Sequence, residues 1–355
     1  MARIQRLAGL LLLLLCLQGS FSPVQAAGLQ DTDIDYIGEW EVQAGSDGGT
    51  LLLSDSPEMV SQDGILYQDK VDGTVRLFYY HVNEAPTAKR LDVILENDGP
   101  EPAHIRVQKY GRSDPGFSWM TVGKETLRAY LTGSRPYELT IPPRQSRSLS
   151  PDIHQTAILT NMLAHGIYDF VTDKPVTVRV LMMPLLADSD RFYPTAKILP
   201  ADSVHLRGTF AGANRMIVPL QPYNPTTDGA IAITLADNQW DRYVRGTDAT
   251  DGSSVVNYGN YGIVYQIPFP SKTGSAFSAY LAPRGGEYAG AVGIQSPDVY
   301  WSPVATPRGR LSYGLDARRD FTFLGNFDGG VPLAFTFSPP GGSNLPVRLV
   351  FLPQS

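Results

Sequence analysis

Short apolar runs separated by turn residues dominate this sequence and restrict it to a β-rich fold. The chain has 355 residues, of which 34 are Gly and 28 are Pro. These residues interrupt the apolar runs at intervals of roughly 8–12 residues, which is the spacing of short strands in a β-sandwich. Long helices and coiled coils need uninterrupted helix formers and are excluded. Hydrophobic residues make up 43% of the chain and charged residues 18%, which excludes intrinsic disorder.

Alternating hydrophobicity marks individual strands. Apolar and polar side chains alternate in residues 91–96, and they alternate again in residues 104–109 after the turn sequence of residues 97–100. Such alternation predicts strands with one face towards solvent. Residues 72–73 and 173–175 are two further turn signals, and each predicts a tight turn between two strands.

The pattern predicts an all-β chain with two antiparallel β-sandwich domains of immunoglobulin-like or jelly-roll-like type and at most two short helices. It resembles the pattern of bacterial immunoglobulin-like modules. One helix is predicted over residues 122–131, ending at Gly133. Residues 152–165 fit a helix, or a strand over residues 156–162. The predicted segments are a signal peptide at 1–27, a first sandwich at 28–187, a linker at 188–203 and a second sandwich at 204–355.

The N-terminus has the layout of a Sec-type signal peptide. Arg3 and Arg6 form a short basic region, residues 7–17 are apolar, and small residues allow cleavage after Ala26 or Ala27. The apolar stretch is shorter than the roughly 20 residues that a membrane-spanning helix needs. We therefore expect a secreted or cell-envelope protein with no transmembrane segment after cleavage.

The single cysteine, Cys16, lies inside the predicted signal peptide. The mature chain would then be cysteine-free, which excludes disulfides, thiolate metal sites and cysteine nucleophiles. Leu15 stands where a lipoprotein would carry a small residue. The net charge of the whole chain is −6, and loss of Arg3 and Arg6 makes the mature chain more acidic. Nucleic acid is therefore excluded as an electrostatic partner.

Familiar catalytic motifs are absent from the sequence. It has no Gly-x-Ser-x-Gly elbow, His-Glu-x-x-His helix, phosphate-binding loop or dinucleotide fingerprint. Its five histidines are scattered along the chain. The sequence therefore favours a non-catalytic, exported cell-surface or extracellular module that binds an envelope glycan or a partner protein.

Aromatic residues in the second half are the candidate ligand contacts. An aromatic ring can stack on the apolar face of a sugar or anchor a protein partner, while Asp, Asn and Arg bind hydroxyl groups. The alternative is that these rings pack in the sandwich core. The candidates are Trp240, Tyr243, Tyr258, Tyr261, Arg284, Tyr288 and Trp301.

Residues 237–251 form an acidic loop, and its oxygen ligands suit calcium. The candidate ligands are Asp237, Asp241, Asp248 and Asp251. The alternative is that these residues form turns, which also favour Asp.

Two other functions stay open: a structural subunit of an envelope layer or appendage, and a carbohydrate-active enzyme that uses this loop. An enzyme of that kind needs two carboxylates in one cleft, at least one with a shifted pKa.

Overall fold

The computed structural model describes residues 34–297 and 303–354. The predicted signal peptide and Trp301 lie outside the described residues. The strands are β1 (Gly38–Glu39), β2 (Val42–Asp47), β3 (Thr50–Ser54), β4 (Met59–Val60), β5 (Gly64–Asn83), β6 (Lys89–Asn97), β7 (Ala103–Arg112), β8 (Tyr137–Ile141), β9 (Gln145–Ser148), β10 (Leu163–Pro184), β11 (Arg207–Ala211), β12 (Asn214–Pro219), β13 (Ile231–Leu235), β14 (Arg245–Thr247), β15 (Ser254–Val256), β16 (Val264–Pro268), β17 (Ala276–Pro283), β18 (Gly290–Gln295), β19 (Val304–Thr306), β20 (Thr322–Asp328), β21 (Ala334–Phe337) and β22 (Val347–Pro353). The helices are α1 (Trp119–Thr132), α2 (Pro151–His154), α3 (Ser189–Phe192) and α4 (Pro225–Asp228).

These strands confirm the all-β class and form three sheets. A five-stranded sheet has the order β1-β13-β22-β17-β20, a six-stranded sheet has the order β19-β18-β21-β16-β12-β2, and the third has eleven strands. Most pairs are antiparallel, but β1 with β13, β3 with β5, β4 with β5, and β12 with β16 are parallel. The sheets are therefore mixed, which corrects the prediction of purely antiparallel pairing.

The largest core joins the five-stranded and six-stranded sheets. Phe335 of β21 lies with its ring centroid 5.7 Å from that of Phe351 in β22. Phe269, just after β16, stacks on Phe351 at 3.8 Å. Ile233 and Ile267 extend the same cluster from the two sheets. Apolar side chains on the facing surfaces thus hold the two sheets together as a sandwich.

The long strands β5 and β10 correct the two turns predicted at residues 72–73 and 173–175. Both turn sequences lie inside these strands, which pair with each other along most of their length. Thr172 pairs with Gly73 and Val176 pairs with Val71, so the register shifts between them. The turn residues therefore form a bulge in the pairing of the two strands, without ending either one.

The bulge divides β10 into two arms with different neighbours. The arm before the bulge pairs with β7, and the arm after it pairs with β6. Phe170 from the first arm and Val180 from the second belong to one buried cluster, together with Val107 and Leu95 from the two neighbouring strands. This cluster is the second core of the molecule.

Helix α1 confirms the predicted helix and its end. Ser118 caps its N-terminus by accepting the Thr121 N–H. Gly133 has a φ of 97° and donates its N–H to the Ala129 and Tyr130 carbonyls. A positive φ at this point favours glycine, which explains why the helix ends here.

Three further helices have four residues each, so the prediction of at most two helices was too low. Each is a single turn whose N-terminus is capped by a side chain, from Ser150, Asp188 or Asn224. Residues 152–165 match neither predicted alternative, because α2 ends at His154 and β10 begins at Leu163. None of the helices in the described ranges has the length and apolar character that spanning a bilayer requires.

Strands from the two predicted domains pair with each other. β3 pairs with β11, and β2 pairs with β12, across the predicted linker. Within that linker, α3 forms and Leu199 is buried, with its N–H donated to the Ile65 carbonyl at 2.8 Å. The division at 188–203 stays a prediction about independent folding units.

Candidate functional site

An open groove of about 630 Å³ lies beside Trp240. It brings together three residues that the sequence analysis singled out, Asp237, Trp240 and Arg284. Its other polar lining residues are Glu39, Thr234, Gln239 and Arg348. The groove therefore combines an aromatic ring with acidic, basic and amide groups.

A tight turn after β13 holds Trp240 at the surface. The Oδ1 atom of Asp237 accepts the backbone N–H groups of Gln239, Trp240 and Asp241, each at 2.9 Å. Such a turn is a local property of an Asp side chain that bonds its own backbone. It leaves the Trp240 side chain 61% exposed, so that its ring is available for stacking.

Glu39 and Arg348 form an ion pair in the groove, with Arg348 Nη2 at 3.3 Å from Glu39 Oε2. Thr234 donates its hydroxyl to the same oxygen at 2.8 Å. Arg348 also donates to the Ile34 and Ile37 carbonyls. Its Nε is buried and has no hydrogen-bond acceptor among the described residues, so this atom does not lie on the surface of the groove.

The predicted tyrosines differ in accessibility. Tyr243 and Tyr258 form an edge-to-face pair with centroids 6.0 Å apart, and Tyr258 is 52% exposed. Tyr261 is only partly exposed and donates its hydroxyl to the Ser343 carbonyl at 2.6 Å. Tyr288 is fully buried against Tyr313. A buried ring has no surface for a ligand, so Tyr288 is removed from the predicted set. Trp301 lies outside the described residues.

The acidic loop does not assemble its four predicted calcium ligands. Within the described part of the chain, the acidic and histidine groups close enough to share a metal ion are His205, Asp248 and Asp251. Asp241 is buried elsewhere, in an ion pair with Arg215. Its Oδ2 accepts the Tyr265 hydroxyl at 2.6 Å and the Ala236 N–H at 2.7 Å.

Asp248 is also saturated with donors. Its Oδ2 lies 2.7 Å from both Arg207 Nε and His205 Nε2. Its Oδ1 accepts the Thr250 N–H at 2.9 Å and the Thr250 hydroxyl at 2.6 Å. Burial raises the pKa of Asp248, but these hydrogen bonds outweigh burial and hold the pKa below its usual value. A cation here would have to displace a buried guanidinium.

A second acidic group was missed by the sequence analysis. It consists of Asp55 and Glu58, in the connection from β3 to β4, together with Asp202. Asp202 Oδ2 accepts the Glu58 N–H at 2.9 Å, and the Asp202 N–H is donated to Ser56 Oγ, also at 2.9 Å. Burial raises the pKa of Asp55 well above its usual value, and the charges of Glu58 and Asp202 raise it further.

Comparisons with known proteins give no relative for this chain. No protein-family model matches it, and no curated protein matches it. The N-terminal CBM22-1-CBM22-2 tandem domain of Xyn10C from Paenibacillus barcinonensis aligns at 8% identity over 90% of this chain and 99% of that chain, with a TM-score of 0.16. Vicilin from Solanum lycopersicum (tomato) aligns at 9% identity over 79% and 75%, with a TM-score of 0.12. TM-scores this low carry no argument about this protein.

Proposed function

We propose that this protein is an exported, non-catalytic cell-surface or extracellular module that binds an envelope glycan in the groove beside Trp240. The observation that carries the proposal is the exposed Trp240 ring, held by the Asp237 turn in the same groove as Arg284. The signal-peptide pattern at the N-terminus supports export.

The lining of the groove suits a neutral, hydroxyl-rich ligand. The Trp240 ring offers a flat apolar surface for one face of a pyranose. Asp237 uses Oδ1 for its turn, which leaves Oδ2 to accept a sugar hydroxyl. Glu39 and Arg348 neutralise each other as an ion pair, and Arg284 adds a basic side chain to the same groove. A ligand that supplies both hydroxyl donors and acceptors matches these groups.

The test is retention of the purified chain on washed cell-envelope polysaccharide. We expect the wild-type chain to be retained, and Trp240→Ala and Arg284→Ala to lose retention. Phe117→Ala is the matched control, because Phe117 is another exposed aromatic residue at 62% exposure and does not line the groove. Equal retention of Trp240→Ala and Phe117→Ala would contradict glycan binding at this groove. Retention on an envelope protein fraction alone would favour a protein partner.

A further inference from the structure

The groove beside Trp240 extends across the strands of the five-stranded sheet. Its lining includes Thr234 of β13, Arg348 of β22 and Pro283 of β17, and these three strands are successive neighbours in that sheet. Thr234 pairs with Arg348, and Arg348 pairs with Ala282, the residue before Pro283. The groove therefore runs from the β13 side of the sheet to the β17 side.

The two ends of the groove are too far apart for one sugar unit. Trp240 lies in the turn after β13, and Arg284 directly follows β17. Because β22 lies between these strands, the two strand ends are separated by two interstrand spacings, or about 10 Å. This distance exceeds the width of a pyranose ring. A ring stacked on Trp240 and a group bound by Arg284 therefore belong to different units of one glycan chain.

A hydrogen-bonded turn forms the Arg284 end of the groove. Arg284 donates its Nη1–H to the Ala317 carbonyl at 3.2 Å, and Ala317 itself lines the groove. Asp316 Oδ1 accepts the Arg318 N–H at 3.1 Å, and the Asp316 carbonyl accepts the Arg319 N–H, also at 3.1 Å. These bonds hold Arg318 next to a lining residue of the groove.

Positive charge is in excess at this end. Residues 307–320 contain four arginines and two aspartates, whereas the whole chain has a net charge of −6. Each aspartate forms an ion pair within the segment, one with Arg310 at 3.2 Å and the other with Arg319 at 3.8 Å. Arg318 is exposed, and no carboxylate among the described residues forms an ion pair with it. Its guanidinium can therefore pair with an anionic group of a ligand.

We infer that the glycan carries acidic substituents, and that Arg318 and Arg284 bind one of them while Trp240 stacks on another sugar of the same chain. The substituent is an anionic oxygen group, a carboxylate or a phosphate, to which arginine donates strong hydrogen bonds. The inference rests on the proposed function and adds the length and the charge of the bound segment. The neutral sugar lies at the Trp240 end, and the anionic group lies at the Arg284 end.

The test compares retention on three forms of washed cell-envelope polysaccharide: untreated, carboxyl-reduced with carbodiimide and borohydride, and dephosphorylated with hydrofluoric acid. Removal of the acidic group should raise the polysaccharide concentration needed for half-retention about tenfold, because the charge-assisted hydrogen bonds to the two arginines are lost. An effect of carboxyl reduction identifies a carboxylate, and an effect of dephosphorylation identifies a phosphate. Added NaCl should weaken retention on the untreated form, because salt screens exposed charges.

Substitutions at Arg318 test its part in this end of the groove. Arg318→Gln should raise the half-retention concentration about threefold, since one exposed charge pair is lost. Arg318→Lys keeps the charge and should lose less. Arg308→Gln is the matched control, because Arg308 is an exposed arginine of the same segment, and neither it nor its chain neighbours line the groove. Equal losses in Arg318→Gln and Arg308→Gln would overturn the inference.

Competition with fragments of the polysaccharide tests the length of the bound segment. Oligosaccharides released by partial acid hydrolysis should compete with retention, and single sugars from complete hydrolysis should not. Single sugars that compete as well as the oligosaccharides would overturn the arrangement of two units in one groove.

The outcomes distinguish this inference from the proposed function. Equal wild-type retention on all three forms, lost in Trp240→Ala, overturns the acidic substituent and leaves glycan binding in the groove intact. Failure of the folded wild-type chain to be retained on untreated polysaccharide overturns the proposed function, and the inference with it.

Discussion

The acidic loop at residues 237–251 and the second acidic group, which consists of Asp55, Glu58 and Asp202, are both rich in carboxylates, but they differ in their supply of hydrogen-bond donors. In the acidic loop, Asp241 and Asp248 are each paired with a buried arginine and accept further hydrogen bonds. In the second acidic group, Asp55 has a buried oxygen without a hydrogen-bond partner among the residues that the structure describes. The same residue type is thus a structural ion-pair partner in one region and an unsatisfied group in the other.

This difference shows that the number of acidic residues in a segment does not identify a cation site. A carboxylate whose lone pairs already accept hydrogen bonds from arginine and N–H groups has no free lone pair with which to bind an ion. A buried carboxylate that lacks those donors is costly to ionise, and this cost raises its pKa. The two regions differ in the number of hydrogen-bond donors that contact each carboxylate. This number is visible only in the folded chain.

The largest expected effect comes from breaking a buried ion pair in the acidic loop. Asp241→Ala should lower the free energy of unfolding by about 3–5 kcal/mol, because it leaves the Arg215 guanidinium buried without its carboxylate. Urea unfolding measures this change. Asp251→Ala is the control and should change stability by less than about 0.5 kcal/mol, since Asp251 is exposed. Similar losses in both variants would show that the Asp241–Arg215 pair does not stabilise the loop.

The next effect concerns His81, which lies against the connection between β3 and β4 and makes a 2.9 Å hydrogen bond to the Pro57 carbonyl. Burial lowers the pKa of His81 from 6.5 to about 4. Between these values the unfolded chain binds a proton that the folded chain does not. The stabilisation is therefore complete above about pH 6.5 and lost as pH falls towards 4. Its full size is on the order of 3 kcal/mol, from about 1.4 kcal/mol per pKa unit.

Urea unfolding near pH 7 and near pH 5 measures this histidine effect. His81→Gln should reduce the loss of stability between the two pH values. His104→Gln is the control, because His104 makes its hydrogen bonds at the surface, and it should keep the wild-type loss. An unchanged pH dependence in His81→Gln would mean that His81 does not titrate as a buried, neutral group.

Opposite signs are expected when one carboxylate from each region is neutralised. Asp55→Asn should raise the free energy of unfolding near pH 7, since it removes a carboxyl group whose charged form is disfavoured by burial and by the charges of Glu58 and Asp202. Because the pKa of Asp55 is raised in the folded state, wild-type stability should fall as pH rises from about 4 through that pKa. Asp55→Asn should lack this fall.

Asp248→Asn should instead destabilise the chain, because it weakens the ion pair with Arg207. Chemical unfolding of both variants in the same buffer gives the comparison directly. A destabilised Asp55→Asn, with a loss as large as that of Asp248→Asn, would mean that the two carboxylates are equally well satisfied.

The smallest stability effect is expected at Trp240. Trp240→Ala should change the free energy of unfolding by less than about 0.5 kcal/mol, because its exposed ring adds little to the core. Thermal melting measures this change. A loss of several kcal/mol in the free energy of unfolding would show that the ring packs against the protein and is not available to a ligand.

The sequence predicted features of the fold that depend on local signals. Helix α1 was found because its good helix formers are followed by Gly133, and the positive φ of that glycine ends the helix. The turns predicted at residues 72–73 and 173–175 were wrong, because a β-bulge uses the same residue types as a turn. Only the pairing of β5 with β10 distinguishes the two outcomes.

The candidate sites were predictable only where their residues are close in the chain. Asp237 and Trp240 were singled out together, and they lie only three positions apart in one turn. Glu39 and Arg348 were missed, because they meet across 309 positions of sequence. Glu58 and Asp202 lie 144 positions apart, so the second acidic group has no sequence signal beyond ordinary acidic residues.

The most direct test of the contrast between the two acidic regions is a carbon-13 NMR titration of the aspartate carboxyl groups. Asp55→Asn and Asp248→Asn would assign the two resonances. We predict that Asp55 titrates well above the usual aspartate pKa near 3.9 and that Asp248 titrates below it. An Asp55 pKa at or below that of Asp248 would contradict the view that Asp55 lacks the hydrogen-bond donors that Asp248 has.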